Sequence, residues 1–358
     1  MSGGTKALTQ AGQSIWLDNI TRDLITSGTL ALYIAESSVA GITSNPTIFE
    51  KAITKGAAYD AQIGSLAKEG KAGDELLFEV ILQDLIAAAD LLAPVYRRTA
   101  GVDGWVSVEV APGLANDTAG TVAQACWLSS KALRPNVFVK IPGTREGVPA
   151  IEEAIFRGVP INVTLLFSVD QYVAAAEAYM RGLERRVASG LNPDVRSVAS
   201  LFVSRWDKAT ADKVSEGLRN RLGIAVSKLC YRAYRDLKET DRWQCLENMG
   251  ARPQRLLFAS TGTKDPNASD VLYVEGLASP NTIDTMPEET LHALEDHGKL
   301  GDLLPRDGGD GQEVLAAFTR AGIDVVQLAE DLQVDGAKAF VDSWTRLSDA
   351  VTAKRQAV

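Results

Sequence analysis

The chain has 358 residues, 46% of them hydrophobic, with 46 acidic against 37 basic side chains and a formal net charge of −9. This composition describes a globular chain with a large core, and its negative charge argues against nucleic acid or an anionic membrane as a partner. No stretch approaches the ~20 uncharged apolar residues of a membrane span, and the opening MSGGTKALTQ lacks the apolar core of a signal peptide, so a cytoplasmic protein is expected.

Eight short strand-like runs follow in chain order, at 14–20, 41–48, 105–113, 137–143, 161–168, 197–205, 255–261 and 271–278. Helical periodicity fills the intervals, as in DELLFEVILQDLIAAADLLAPV before the third run and VDQYVAAAEAYMRGLERRVASG after the fifth. Ser168 and Gln171 have capping-box spacing, and 285–288 repeats it with Pro287 in the first turn. Strand followed by helix, eight times, predicts a parallel eight-stranded (β/α) TIM barrel with extra helices, organised as a single domain over 1–358. The region 208–250 and the tail from about 303 to 358 read as helical and loop additions, the tail being placed to cover part of the barrel mouth. An open doubly wound sheet would carry a glycine-rich phosphate turn after an early strand, and the sequence has none.

Cys126, Cys230 and Cys245 form no CxxC pair and fall in helix-like contexts, which makes reduced structural thiols the expectation. With His292 and His297 as the only histidines, zinc chemistry and a Ser-His triad lack their raw material. No metal and no cofactor is expected.

Strand parity locates the chemistry. Side chains on a barrel strand alternate between the interior and the helix layer. Val106 and Val108 share one face of the third run, opposite Ser107 and Glu109; Val137, Val139 and Ile141 oppose Phe138 and Lys140 in the fourth; Ile161 and Val163 oppose Asn162 and Thr164 in the fifth. In the first, second and sixth runs the same division puts Asp18 with Trp16, Asn45 with Thr43, and Ser200 with Phe202. If the β-branched faces meet the helices, then Asp18, Asn45, Glu109, Lys140, Asn162, Thr164 and Ser200 all point inward, too many polar groups for a packing core. Lys140 stands out, because burial disfavours the charged form of a lysine and the free amine condenses with a ketone. The resulting iminium acts as an electron sink, and the carboxylates of Asp18 and Glu109 can share the acid–base work, with Thr164 helping to hold a water. A salt bridge from Lys140 to Asp18 or Glu109 is the purely structural alternative.

The segments GITSNPTIF (41–49), VFVKIPGT (137–144) and INVTLLFS (161–168) resemble the hallmark segments of transaldolase, in the same order and separation, and the likeness extends over nearly the whole chain. The STGTK segment and the extended C-terminus are similar to a long bacterial form. The resemblance implies a class I aldolase-type barrel that moves a dihydroxyacetone unit between sugar phosphates in the non-oxidative pentose phosphate pathway, as a monomer or homodimer without cofactor. It implies Lys140 as the Schiff-base lysine, Asp18 as general acid/base, Glu109 and Thr164 as the pair positioning the catalytic water, and Asn45 and Asn162 as groups holding the donor's hydroxyls and the intermediate. Ser200 and Phe202 match further active-site positions, and Arg205 matches a phosphate-binding arginine. Leu201 stands where many members have proline, and no second phosphate-binding arginine follows the seventh run, so Ser260 and Lys264 in FASTGTKDP are assigned that role. A fructose-6-phosphate aldolase, similar in fold and lysine, is the competing enzyme; its members tend to place tyrosine and glutamine where this chain has Phe202 and Glu109. A non-catalytic sugar-phosphate-binding barrel is the remaining alternative.

Overall fold

Eight parallel strands close on themselves in strict chain order: β1 (Ser14–Leu17), β2 (Val39–Ile42), β3 (Trp105–Glu109), β4 (Val137–Pro142), β5 (Ile161–Leu166), β6 (Ser197–Phe202), β7 (Arg255–Ala259) and β8 (Ile283–Met286). The computed structural model, which describes residues 3–356, is therefore a (β/α)8 TIM barrel with surrounding helices. Almost every strand residue is buried, as expected of parallel strands enclosed by helices on one side and packed on the other.

Seven of the eight predicted runs contain or overlap a strand. The eighth does not: 271–278 holds the short helix Leu272–Gly276, and the closing strand lies further on, at Ile283–Met286. A short apolar run such as VLYVEGLA suits a buried helix as well as a strand, and the true β8 is disguised by Asp284 and Thr285 in its centre. The predicted cap at Thr285 fails for the same reason. Thr285 belongs to the strand, its hydroxyl is 2.7 Å from that of Thr43, and the helix Glu288–Asp296 starts from Pro287 without a side-chain cap. Ser168 does cap the helix Val169–Ala188, accepting from the backbone N–H of Gln171 at 3.1 Å. The Gln171 side chain reaches back to the N–H of Phe167 rather than of Ser168.

The amino-terminal half of the barrel interior is filled by aromatic rings. Phe138 stacks on Trp105 with centroids 3.9 Å apart and on Trp16 at 6.3 Å, and all three side chains are almost fully buried. Gly41 on β2 makes room for this stack, since a Cβ there would lie 2.4 Å from the Trp16 indole. Truncating any of the three rings to alanine costs about 3–5 kcal/mol. This plug leaves the carboxyl-terminal half of the interior for polar groups.

The tail covers part of the barrel mouth, a placement that only the fold reveals. After the helix Gly311–Arg320, the long helix Val325–Gln356 crosses the carboxyl ends of the strands. Gln333 donates to the backbone carbonyls of Gly143 and Leu165, at 3.0 and 2.9 Å, and Arg346 and Lys354 pair with Glu50 and Asp60. Gly336 allows the close crossing, because a Cβ there would come within 2.9 Å of Leu165 and 3.0 Å of Arg205.

Asp284 is buried within β8 with Thr261 donating to one carboxyl oxygen at 2.7 Å, while the other has no partner among the described residues. Desolvation pushes its pKa up to about 7, above the ordinary 3.8, so the native state holds this proton more tightly than the unfolded chain. The stability this proton provides is present in acid and is lost as pH rises from about 4 to about 7. Asp284→Asn should therefore be more stable than the parent protein at neutral pH, by an amount that grows from pH 4 to 7, reaches roughly 4 kcal/mol and then levels off. Urea unfolding of both proteins across that range measures the gap; a gap independent of pH would show that Asp284 is ionised in the fold.

Candidate active site

Register places three of the predicted residues abreast. Glu109 on β3 pairs with Lys140 on β4, and Lys140 with Asn162 on β5, so their side chains rise at one level above the aromatic plug. The ammonium of Lys140 lies 2.5 Å from Glu109 and donates to the carbonyl of Ser44 at 2.8 Å, with both side chains at least nine-tenths buried. The ion pair named as the structural alternative is thus present, and it lies inside the polar interior. No donor other than Lys140 reaches the Glu109 carboxylate among the described residues. Burial raises the pKa of Glu109, an effect that Lys140 opposes and the nearby Asp18 reinforces.

Asp18, just beyond β1, accepts from Thr43 at 2.8 Å, and Thr43 in turn meets Thr285. Its carboxyl is also pushed up by desolvation, against the fields of Lys140, Lys264 and Arg205. Asn162 is fully buried, donating to Ser107 at 3.1 Å and accepting from Ser200 at 2.7 Å. Asn45 caps the helix Pro46–Lys55, its side chain accepting from Ile48 at 3.2 Å.

Above this level opens a cavity of about 330 Å³ at the carboxyl ends of the strands, the size of a small-ligand site. Asp18, Asn45, Lys140, Thr164, Ser200, Phe202, Arg205, Ser260 and Lys264 all line it. Glu109 and Asn162 are absent from its wall. Glu109 instead shares with Lys140, Thr164 and Phe340 a side pocket of about 10 Å³, room for roughly one water. The Thr164 hydroxyl in that pocket has no partner among the described residues.

Two backbone positions shape the mouth. Leu165 takes φ +58° where β5 and β6 slip register, and Ser260 takes φ +58° just past β7. A left-handed conformation costs a non-glycine residue on the order of 1–3 kcal/mol and persists where surrounding structure fixes it. For Leu165 the restraint is the Gln333 bond to its carbonyl; for Ser260 it is the N–H of Ser204 bonded to its carbonyl at 3.0 Å, with the two hydroxyls also 3.0 Å apart. The guanidinium of Arg205 lies over Phe202 and Phe340, at 4.9 and 5.8 Å from their centroids, and makes no ion pair or hydrogen bond among the described residues. Burial lowers its pKa, so this cation is incompletely compensated and faces the cavity. Exposed Lys264 folds back over Gly262 toward the same space.

Sequence reasoning missed Thr43, Lys51, Thr285, Glu289 and Phe340, which also line the cavity. Thr43 shares the parity of Asn45, so a signal for it existed. Thr285 was hidden by the misplaced eighth strand. Lys51 and Glu289 lie on helices beyond the strand ends, and Phe340 comes from the distant tail; strand alternation says nothing about any of them.

A buried lysine paired with a carboxylate inside a parallel barrel, below a mouth lined by Arg205 and Lys264, is the arrangement of the class I aldolase type of TIM barrel. The chain belongs to the transaldolase/fructose-6-phosphate aldolase family, whose model matches residues 15–351. It is 44% identical to a transaldolase of Parafrankia sp. over 98% of both chains, and 43% identical to one of Thermobifida fusca with the same coverage. A protein named transaldolase 2 from Streptomyces coelicolor is 42% identical over 99% of this chain and 98% of its own. The chain is thus an enzyme that transfers aldehyde or ketone groups, with sugar phosphates as the substrates its family implies. No described helix is long and apolar enough to cross a membrane.

Proposed function

We propose that the protein transfers a dihydroxyacetone unit from sedoheptulose 7-phosphate or fructose 6-phosphate to glyceraldehyde 3-phosphate or erythrose 4-phosphate, through a Schiff base on Lys140, in the non-oxidative pentose phosphate pathway. The observation that carries this reading is the contact of Lys140 with Glu109, beside a cavity that Lys140 and Asp18 both line. Lys140 passes a proton to Glu109, whose carboxyl is made receptive by burial, and the free amine adds to the donor's C2 carbonyl. Loss of water from the carbinolamine gives the iminium, and the small pocket bounded by Glu109 and Thr164 suits that water. Asp18 takes the proton of the C4 hydroxyl as the C3–C4 bond breaks; the aldose phosphate leaves and the electron pair remains as an enamine on Lys140. The acceptor aldehyde then forms a new carbon–carbon bond by the reverse steps, with Asp18 returning the proton.

Asn45, Asn162 and Ser200 orient the donor's hydroxyls, with Asn162 acting from below through Ser200. Arg205, Ser260 and Lys264 hold the phosphate, and Phe202 supplies an apolar wall with no acid to protonate the enamine. The iminium is itself the electron sink, so no cofactor or metal enters these steps. Barrel and C-terminal extension work as one domain over 1–358, in the cytoplasm, as a monomer or homodimer with neither nucleic acid nor membrane as partner.

Transfer and release differ in what happens to the enamine. Fructose 6-phosphate alone should release glyceraldehyde 3-phosphate slowly after at most one equivalent per site, whereas added erythrose 4-phosphate should give sustained turnover to sedoheptulose 7-phosphate. Dihydroxyacetone accumulating at one rate with or without acceptor would identify a fructose-6-phosphate aldolase instead.

Arg205→Ala removes the half-buried cation at the mouth. Losing a charge-assisted contact of about 1.5–3 kcal/mol should raise KM for phosphorylated donors roughly 10- to 100-fold, while use of unphosphorylated dihydroxyacetone changes little. Steady-state kinetics on both substrates decide it, and equal losses would make Arg205 a packing residue under Phe340.

A further inference from the structure

A second cavity, of about 380 Å³, opens at the opposite end of the barrel, where Ser14, Trp105, Ser197 and Arg255 mark the starts of strands. The amino end of a TIM barrel ordinarily serves stability rather than binding. Here it is strongly cationic: Arg196, Lys238, Arg252 and Arg255 line the cavity, against Asp103 as its one acidic residue.

Two of these cations are committed. Arg255 pairs with Asp103 at 3.0 Å and bonds Ser14 and the carbonyl of Thr282, while Arg196 pairs with Asp194 and bonds the carbonyls of Gly101 and Ala100. Half-buried Lys238 and exposed Arg252 are left without an ion pair or side-chain hydrogen bond among the described residues. The Lys238 ammonium lies 5.5 Å from the Tyr234 ring centroid, and its pKa is lowered by burial and by the like charges of Arg235 and Arg255, with the more distant carboxylate of Glu247 opposing them. A bound anion would relieve that crowding.

We propose that this amino-end cavity binds a small organic phosphate, the phosphate held by Lys238 and Arg252. The volume suits a molecule the size of a mononucleotide. The site lies across the aromatic plug from Lys140 and is independent of the reading of the active site.

Adenosine monophosphate is a suitable probe because it has no carbonyl with which to condense on Lys140. Calorimetric titration of the full-length protein should show one site, weakened by at least about tenfold in Lys238→Glu/Arg252→Glu and unchanged in Arg205→Ala. Circular dichroism checks that the variants are folded, and Lys238→Gln/Arg252→Gln replaces the charge reversal if it unfolds. Absence of binding at millimolar nucleotide, or binding lost in Arg205→Ala but kept in the double variant, would overturn the proposal.

Discussion

Within the barrel interior an ammonium and a carboxylate are pressed to 2.5 Å with almost no access to water, and much of the surrounding structure follows from accommodating them. Desolvating such a pair is expensive, and removing one partner of a buried pair typically costs 3–5 kcal/mol because the other charge is left alone. The fold meets this demand with a third group on Lys140, the Ser44 carbonyl, and leaves Glu109 with Lys140 as its only donor among the described residues. The result is a lysine held firmly in place next to a carboxylate that burial has made a better base. A stronger network around Glu109 would stabilise the protein and weaken it as a proton acceptor.

The aromatic plug and the C-terminal helix enclose this pair from opposite ends. Trp16, Trp105 and Phe138 fill the amino half and confine the polar level to the carboxyl half, where loops can reach it. The helix Val325–Gln356 closes over the other side through Gln333, Gly336 and Phe340, fixing the left-handed Leu165 and placing a ring above Arg205. Backbone strain at the mouth thus sits directly after Thr164, where the site needs an irregular strand end.

Much of this was legible in the sequence because parallel barrel strands obey a period of two. That rule alone put Asp18, Asn45, Glu109, Lys140, Asn162, Thr164 and Ser200 inside, and the structure places all but Glu109 and Asn162 on one cavity wall, with those two immediately beneath and beside it. The rule failed where a strand is poor in apolar residues: β8, with Asp284 and Thr285, was passed over for an apolar segment that folds as a short helix. Contributions from helices were illegible for a different reason. Lys51 and Phe340 reach the cavity because helices beyond the strand ends lie over it, and neither local periodicity nor spacing encodes that packing. The Lys140–Glu109 ion pair and the nucleophilic lysine, alternatives in the sequence, are compatible in the structure, since the carboxylate that pairs with the ammonium can also take its proton.

The central claim is that Lys140 carries the donor as a Schiff base. Incubating the protein with fructose 6-phosphate, reducing with borohydride and mapping the peptides by mass should find a single stoichiometric adduct on Lys140. An adduct on another lysine, or none from a preparation that demonstrably turns over, would contradict the account.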